Sequence, residues 1–125
     1  MKFIFDEGLG EDLAKALAAL DEDVEHIRQH LEQGADDVDV LEFVGSNGYF
    51  LVGRDKNMQY NKAEIAAIRK YKVGAFILVG KNLSRWQIIT AIIDNWEKIK
   101  KTAETSHRPF VYRIYRGGKM ERKHV

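Results

Sequence analysis

Short apolar runs alternate along this chain with longer segments of helical periodicity, and this alternation constrains the fold more than any other feature. The apolar runs cover residues 2–5, 24–27, 49–53 and 75–79, and each is short enough to be a buried strand. Strands that alternate with helices favour a mostly parallel sheet with helices on both faces. We therefore predict an α/β fold built from strand–helix–strand units.

The intervening segments carry helix signals. Leucine and alanine recur at helical spacing over residues 9–20, and Asp36, Asn61 and Ser84 each occupy an N-cap position. The helix that starts after Ser84 is predicted to be long and to end near Thr102. Its predicted buried face consists of Trp86, Ile89, Ile93, Trp96 and Ile99.

The C-terminal part alternates apolar with basic or aromatic residues. Pro109 precedes the run 110–115, and Gly117 and Gly118 can turn that run back onto residues 119–123. We therefore predict a C-terminal strand or hairpin.

Composition limits the class of protein. The chain has 125 residues, 45% of them hydrophobic and 31% charged, which suits a single globular domain over residues 1–125. It contains no cysteine, so disulfides and thiolate metal sites are excluded. The apolar start is too short for a signal peptide or membrane span, and we expect a cytoplasmic protein without a membrane partner.

Charge is distributed unevenly along the chain. Residues 1–55 contain 14 acidic and 4 basic residues, whereas residues 56–125 contain 5 acidic and 16 basic residues. The basic half suggests a polyanionic partner. The alternative is that the two halves neutralise each other within the fold.

Three aspartates mark a candidate site. Asp6 and Asp55 follow predicted strands, and Asp37 lies in the first turn of a predicted helix. Ligands of parallel α/β sheets bind beyond the carboxyl ends of the strands, where these carboxylates can converge. Mg²⁺ and Mn²⁺ prefer such oxygen ligands and activate water against phosphodiesters. The alternatives are a helix-dipole role for Asp37 and a loop role for Asp55.

Other catalytic classes have less support in the sequence. The chain has no cysteine nucleophile, and its four histidines show no metal-ligand spacing. His26 and His30 are predicted to be surface residues. Gly80-Lys81-Asn82 lacks the spacing and the hydroxyl residue of a phosphate loop, although Lys81 can still contact phosphate or remain solvated.

Four segments taken together resemble the compact PIN-like nucleases, and most closely the toxins of VapBC-type toxin–antitoxin systems. The segments are FDEG at 5–8, GADDVDVL at 34–41, FLVGRDKN at 50–57 and GAFILVGKNLSRW at 74–86. The toxin branch also shares the closing stretch RPFVYRIYRGGKMERK at 108–123. The resemblance extends over almost the whole chain.

This resemblance implies a Rossmann-like three-layer α/β/α sandwich with the strands of Asp6 and Asp55 adjacent. It implies a metal-dependent endoribonuclease in which Asp6, Asp37 and Asp55 hold Mg²⁺ or Mn²⁺. It also implies an RNA substrate and an antitoxin protein that blocks the site. The oligomeric state is left open, with a homodimer as one alternative.

The sequence departs from the family pattern at two positions. Family members carry a glutamate on a helix between the first strand and the position of Asp37; here Glu7 or Asp36 would have to substitute. Many also carry an aspartate two residues after the position of Asp55, where this chain has Asn57. The alternative function is therefore a catalytically weak PIN-like module that binds RNA or protein. A receiver-like phosphoacceptor domain fits poorly, because its acids occur in a different order.

Several basic residues are candidates for binding the RNA substrate. We expect a phosphate-binding ring around the acids and a basic strand near the C-terminus that holds RNA by charge and aromatic stacking. The alternatives are core packing for the aromatic residues and a solvated strand edge for the bases. The candidate RNA-binding residues are Arg54, Lys56, Lys81, Arg108, Arg113 and Arg116.

Overall fold

The computed structural model describes residues 1–54 and 61–125, which form a mixed six-stranded sheet. The spatial order of its strands is β2-β1-β3-β4-β5-β6, and only β6 runs antiparallel to its neighbour. The predicted parallel α/β architecture and its C-terminal hairpin are confirmed. The strands are β1 (Phe3–Phe5), β2 (Val24–His26), β3 (Phe50–Arg54), β4 (Gly74–Leu78), β5 (Phe110–Ile114) and β6 (Met120–Lys123).

Five described helices cover the two faces of the sheet and produce three layers. Side chains alternate along each strand, so β1, β3, β4 and β5 each contribute to two separate apolar cores. One core lies under α1, α4 and α5, and the other lies under α2 and α3. The helices are α1 (Glu11–Ala19), α2 (Asp37–Ser46), α3 (Lys62–Tyr71), α4 (Arg85–Asp94) and α5 (Trp96–Thr105).

The predicted caps are present. The side chains of Asp36, Asn61 and Ser84 accept hydrogen bonds from backbone N–H groups three residues further on, at 3.0, 2.8 and 3.1 Å. Each bond satisfies a donor that the first helical turn leaves unpaired. These short local signals therefore fix where α2, α3 and α4 begin.

The prediction of one long helix after Ser84 is wrong. The helix is interrupted at Asn95. This residue is buried, and its side-chain amide donates to the Ala91 carbonyl at 2.7 Å. The interruption divides the predicted buried stripe between two helices. Trp96 and Ile99 are buried as predicted, but Trp86 is 74% exposed and Ile93 is 49% exposed. The buried face of α4 instead consists of Ile88, Ala91 and Ile92.

The C-terminal hairpin closes one end of the sheet. Tyr112 lies opposite Arg122, and the ring of Tyr112 stacks on Phe76 with centroids 5.9 Å apart. Phe110 is fully buried, which supports the core-packing alternative for this strand. In the described part of the chain, no helix combines the length and apolar character that crossing a membrane requires.

Candidate active site at the carboxyl edge of the sheet

Asp6 follows the interior strand β1 at the edge where the parallel strands end. Its backbone N–H donates to the Val52 carbonyl at 2.9 Å, which keeps it in register with β3. A Cβ atom on Gly53 would lie 3.3 Å from the Asp6 Cβ and 3.6 Å from Oδ2. The glycine in β3 thus leaves room for the carboxylate to lie across the neighbouring strand.

The surroundings of Asp6 disfavour its charge. Burial raises the pKa of the Asp6 carboxyl above its usual value, and the nearby negative charges of Asp37 and Glu7 add to this effect. One bond acts in the other direction, because Oδ1 accepts from the Glu7 N–H at 2.8 Å. Within the described residues, Oδ2 accepts no hydrogen bond. Asp6 therefore has one oxygen available for a positively charged ligand.

The structure brings Asp37 to the same site. Asp37 is the first residue of α2 and is exposed, and its charge acts directly on the pKa of Asp6. The third predicted acid, Asp55, lies outside the described residues, as does Lys56. The strand that precedes Asp55 is β3, which pairs with β1 as predicted. Over residues 1–54 and 61–125, no cluster of three or more metal-ligating side chains occurs.

The two substitutes for the missing family glutamate already have partners. Glu7 Oε1 accepts from Arg28 Nε at 2.7 Å, and Asp36 Oδ1 caps α2 by accepting from the Asp39 N–H. Two converging carboxylates still suit Mg²⁺ or Mn²⁺, since these ions bind hard oxygen donors and usually keep several waters. The donor set of Asp6 and Asp37 therefore fits such an ion.

His26 is a structural residue that the sequence analysis placed wrongly on the surface. It is only 4% exposed, at the end of β2, and its Nδ1 accepts from the Arg28 N–H at 3.1 Å. The Gln29 side chain completes a reciprocal cap by accepting from the His26 N–H at 2.8 Å. Among the described residues, the buried Nε2 has no partner. The His-x-x-Gln spacing of a reciprocal cap could have revealed this role.

Acid is expected to destabilise the protein through His26. Burial lowers the pKa of His26, against the opposing effects of Glu11, Asp6 and Glu7, while Arg28 adds to the lowering. The unfolded chain therefore takes up the proton first, and stability falls as pH drops below about 6.5. A His26→Asn variant keeps a cap acceptor but cannot titrate. Its melting temperature should fall less between pH 7.5 and pH 5.5 than that of the wild type; equal falls would contradict this assignment.

Two arginines, Arg28 and Arg85, hold the segment that follows Asp6, and a third links the ends of two strands. Arg28 pairs with Glu7, and Arg85 donates to the Leu9 carbonyl at 2.7 Å while pairing with Asp12. Arg54, predicted to bind phosphate, donates to the Gly80 carbonyl at 3.0 Å and links the ends of β3 and β4. The roles of Arg28 and Arg85 were not predicted, because their partners lie 21 and 76 residues away in the sequence.

The other predicted RNA-binding residues are divided between two edges of the sheet. Lys81 and Arg116 are exposed just beyond the ends of β4 and β5, at the same edge as Asp6. Arg113 lies near that end of β5, 4.0 Å from Glu121. Arg108 precedes β5 and lies over the ring of Phe50, 4.5 Å from its centroid. Since Phe50 begins β3, the structure places Arg108 at the opposite edge, away from the acids.

Comparison with known proteins identifies one family. A family model described as PIN like domain matches residues 1–80, which is more than half of the chain. No curated protein and no solved structure gives a significant match. The matched range contains β1 to β4 and both described acids of the site.

Proposed function

This chain belongs to the PIN like domain family, and on that premise we propose that it is a metal-dependent endoribonuclease. PIN-like domains are mostly nucleases. The observation that supports the proposal is the partly buried Asp6, whose pKa is raised next to the carboxylate of Asp37 at the carboxyl edge of the sheet. Two nearby carboxylates repel each other at a cost in free energy, and a divalent cation removes that cost.

Asp6 and Asp37 would hold Mg²⁺ or Mn²⁺, with Asp55 as the third proposed ligand. Once bound, such an ion supplies an activated water and neutralises charge on the phosphodiester. The chain's own contribution is to fix the carboxylates: β1 and β3 position Asp6, and the N-cap of α2 positions Asp37. The exposed Lys81 at the same edge would bind the RNA backbone.

The family resemblance extends this proposal to a toxin of a toxin–antitoxin pair that acts in the cytoplasm. Expression of the chain should then arrest growth, and co-expression of its partner should restore it. A catalytically weak binding module is the second candidate. It is favoured by the engagement of Glu7 with Arg28, since the side chain that could replace the family glutamate is already paired.

Metal-dependent cleavage separates the two candidates. An end-labelled single-stranded RNA is incubated with the protein and Mg²⁺ or Mn²⁺, with EDTA, and with EDTA followed by excess metal. The nuclease proposal expects cleavage that EDTA abolishes and that metal restores. Binding of RNA without cleavage under any metal would support the module, and cleavage that resists EDTA would contradict metal dependence.

Lys81 is expected to contribute one phosphate contact. A Lys81→Gln variant should bind RNA more weakly, and the slope of log K against log salt should become shallower by about 0.7, the value for one phosphate on a single strand. Lys70→Gln is the matched control, because Lys70 lies in the last turn of α3, before β4 begins at the opposite edge. Equal slopes for the Lys81 variant and the wild type would show that Lys81 is only solvated.

A further inference from the structure

We propose that Trp86 is a stacking platform for a base of single-stranded RNA next to the acidic site. This inference rests on the proposed function for its substrate class and adds a residue that makes contact with the base. The chain has two tryptophans, Trp86 and Trp96. Trp96 is 5% exposed and packs against Phe3, with ring centroids 4.9 Å apart, whereas Trp86 is 74% exposed.

The exposure of Trp86 leaves its ring accessible to a ligand. An indole ring that is three-quarters exposed leaves a large apolar surface in water, and the described residues do not cover it. Trp86 lies in the first turn of α4, and the helix buries Ile88, Ala91 and Ile92 on its other side. The described structure therefore places this ring on the surface, with its apolar area unused.

Position links Trp86 to the candidate site. Its neighbour Arg85 donates to the Leu9 carbonyl at 2.7 Å, and the Leu9 N–H in turn donates to the Asp6 carbonyl at 3.1 Å. The first turn of α4 is thus tied to the segment that follows the catalytic candidate Asp6. A nucleic acid strand entering the site can reach both features.

The charges near Trp86 favour single-stranded nucleic acid as its ligand. Trp86 follows the exposed cation Lys81, and the first turn of α4 contains no acidic residue. The neighbouring Arg85 is paired with Asp12. Aromatic rings beside cations suit single-stranded nucleic acid, since bases stack on the ring and phosphates meet the charges. An apolar protein helix would use Trp86 together with Ile93, which lies about two turns further along the same face of α4, and needs no cation.

Intrinsic fluorescence tests the contact directly. A single-stranded RNA of about ten nucleotides is titrated into the protein in EDTA, so that binding is observed without cleavage. Stacking on Trp86 should quench tryptophan emission, and Trp86→Phe should remove this quenching while the buried Trp96 continues to emit. A titration without quenching in the wild type would overturn the proposal.

Affinity provides the second readout. Trp86→Ala should weaken binding of single-stranded RNA about 10-fold or more, while Trp86→Tyr should stay within about 3-fold of the wild type. The matched control Ile93→Ala removes an exposed apolar side chain from the same helix and should bind like the wild type. Equal losses of RNA affinity in both alanine variants would show general apolar contact rather than stacking on Trp86 and overturn the proposal, as would a Trp86→Ala variant of unchanged affinity.

The two proposals can fail separately. RNA that quenches Trp86 in EDTA but is not cut with any metal would retain the stacking role and reject the nuclease. Metal-dependent cleavage with unchanged affinity in Trp86→Ala would retain the nuclease and reject the stacking role. Because Trp86 is exposed, its variants should keep the wild-type melting temperature, which verifies that the fold is intact.

Discussion

An Asp6→Asn variant is expected to lose metal-dependent RNA cleavage and to melt at a higher temperature than the wild type. The loss should be at least about 100-fold, because changes in groups that merely support metal ligands already cost 10- to 100-fold. The gain in stability comes from removing the disfavoured charge of Asp6. Burial and neighbouring acids raise the pKa of Asp6, so its ionised form is less favourable in the folded chain than in the unfolded one.

The pH dependence of the stability gain follows from the upward shift in the pKa of Asp6. Above the folded pKa, the wild type carries the cost of a disfavoured charge and the Asn variant does not. As pH falls, Asp6 takes up a proton in the folded state first, and the difference vanishes below the ordinary aspartate value of about 3.9. Asn keeps an oxygen that can accept from the Glu7 N–H. The variant therefore retains this hydrogen bond, and its loss does not confound the comparison.

Asp39→Asn is the matched control for this experiment. Asp39 lies in the same first turn of α2 as Asp37 and is exposed, but it is not among the groups that raise the pKa of Asp6. Its variant should cut RNA like the wild type. Mg²⁺ should raise the melting temperature of the wild type and of Asp39→Asn, but not that of Asp6→Asn. An Asp6→Asn protein that cuts at the wild-type rate would remove Asp6 from the mechanism.

Gly45→Ala is expected to be the most destabilising single-methyl change at the helix layer that carries Asp37. A Cβ on Gly45 would lie 2.6 Å from the Tyr71 Cβ and closer still to the Tyr71 carbonyl oxygen. Because the second partner is backbone, no side-chain rotation relieves the clash, and α2 must move away from α3. Overpacking of this kind costs about 1–3 kcal/mol, and we expect the upper end of that range.

The displacement should also affect the site, since α2 begins at Asp37. Gly117→Ala is the control, because no atom lies within 4 Å of a Cβ at that position. Thermal unfolding should show a melting temperature several degrees lower for Gly45→Ala and a value near that of the wild type for Gly117→Ala. Two variants of equal stability would show that α2 and α3 can separate without cost.

Local sequence signals predicted the elements of this fold well. The apolar runs became β1 to β4, and the caps at Asp36, Asn61 and Ser84 set the starts of three helices. Both kinds of signal act between residues a few positions apart. The adjacency of β1 and β3 was predicted only from the family resemblance, and the structure confirms it.

The break at Asn95 and the exposure of Trp86 could not be predicted from periodicity. A pattern of apolar residues marks which ones can be buried, but tertiary packing decides which of them face the sheet. Asn95 lies between α4 and α5, and its side-chain amide donates to the Ala91 carbonyl, so the predicted stripe is divided between two helices. Trp86, part of that predicted stripe, is exposed.

The sequence by itself determined the alternation of strands and helices, the position of Asp6 at the end of the first strand, and the N-cap that presents Asp37. The tertiary structure alone decided that His26 is buried, that Glu7 is paired with Arg28, and that Arg85 is anchored to the segment after Asp6. The physical reason is the sequence separation over which each interaction acts. Strand burial and helix caps depend on near neighbours in the chain, whereas ion pairs and burial depend on residues that only the folded sheet brings together.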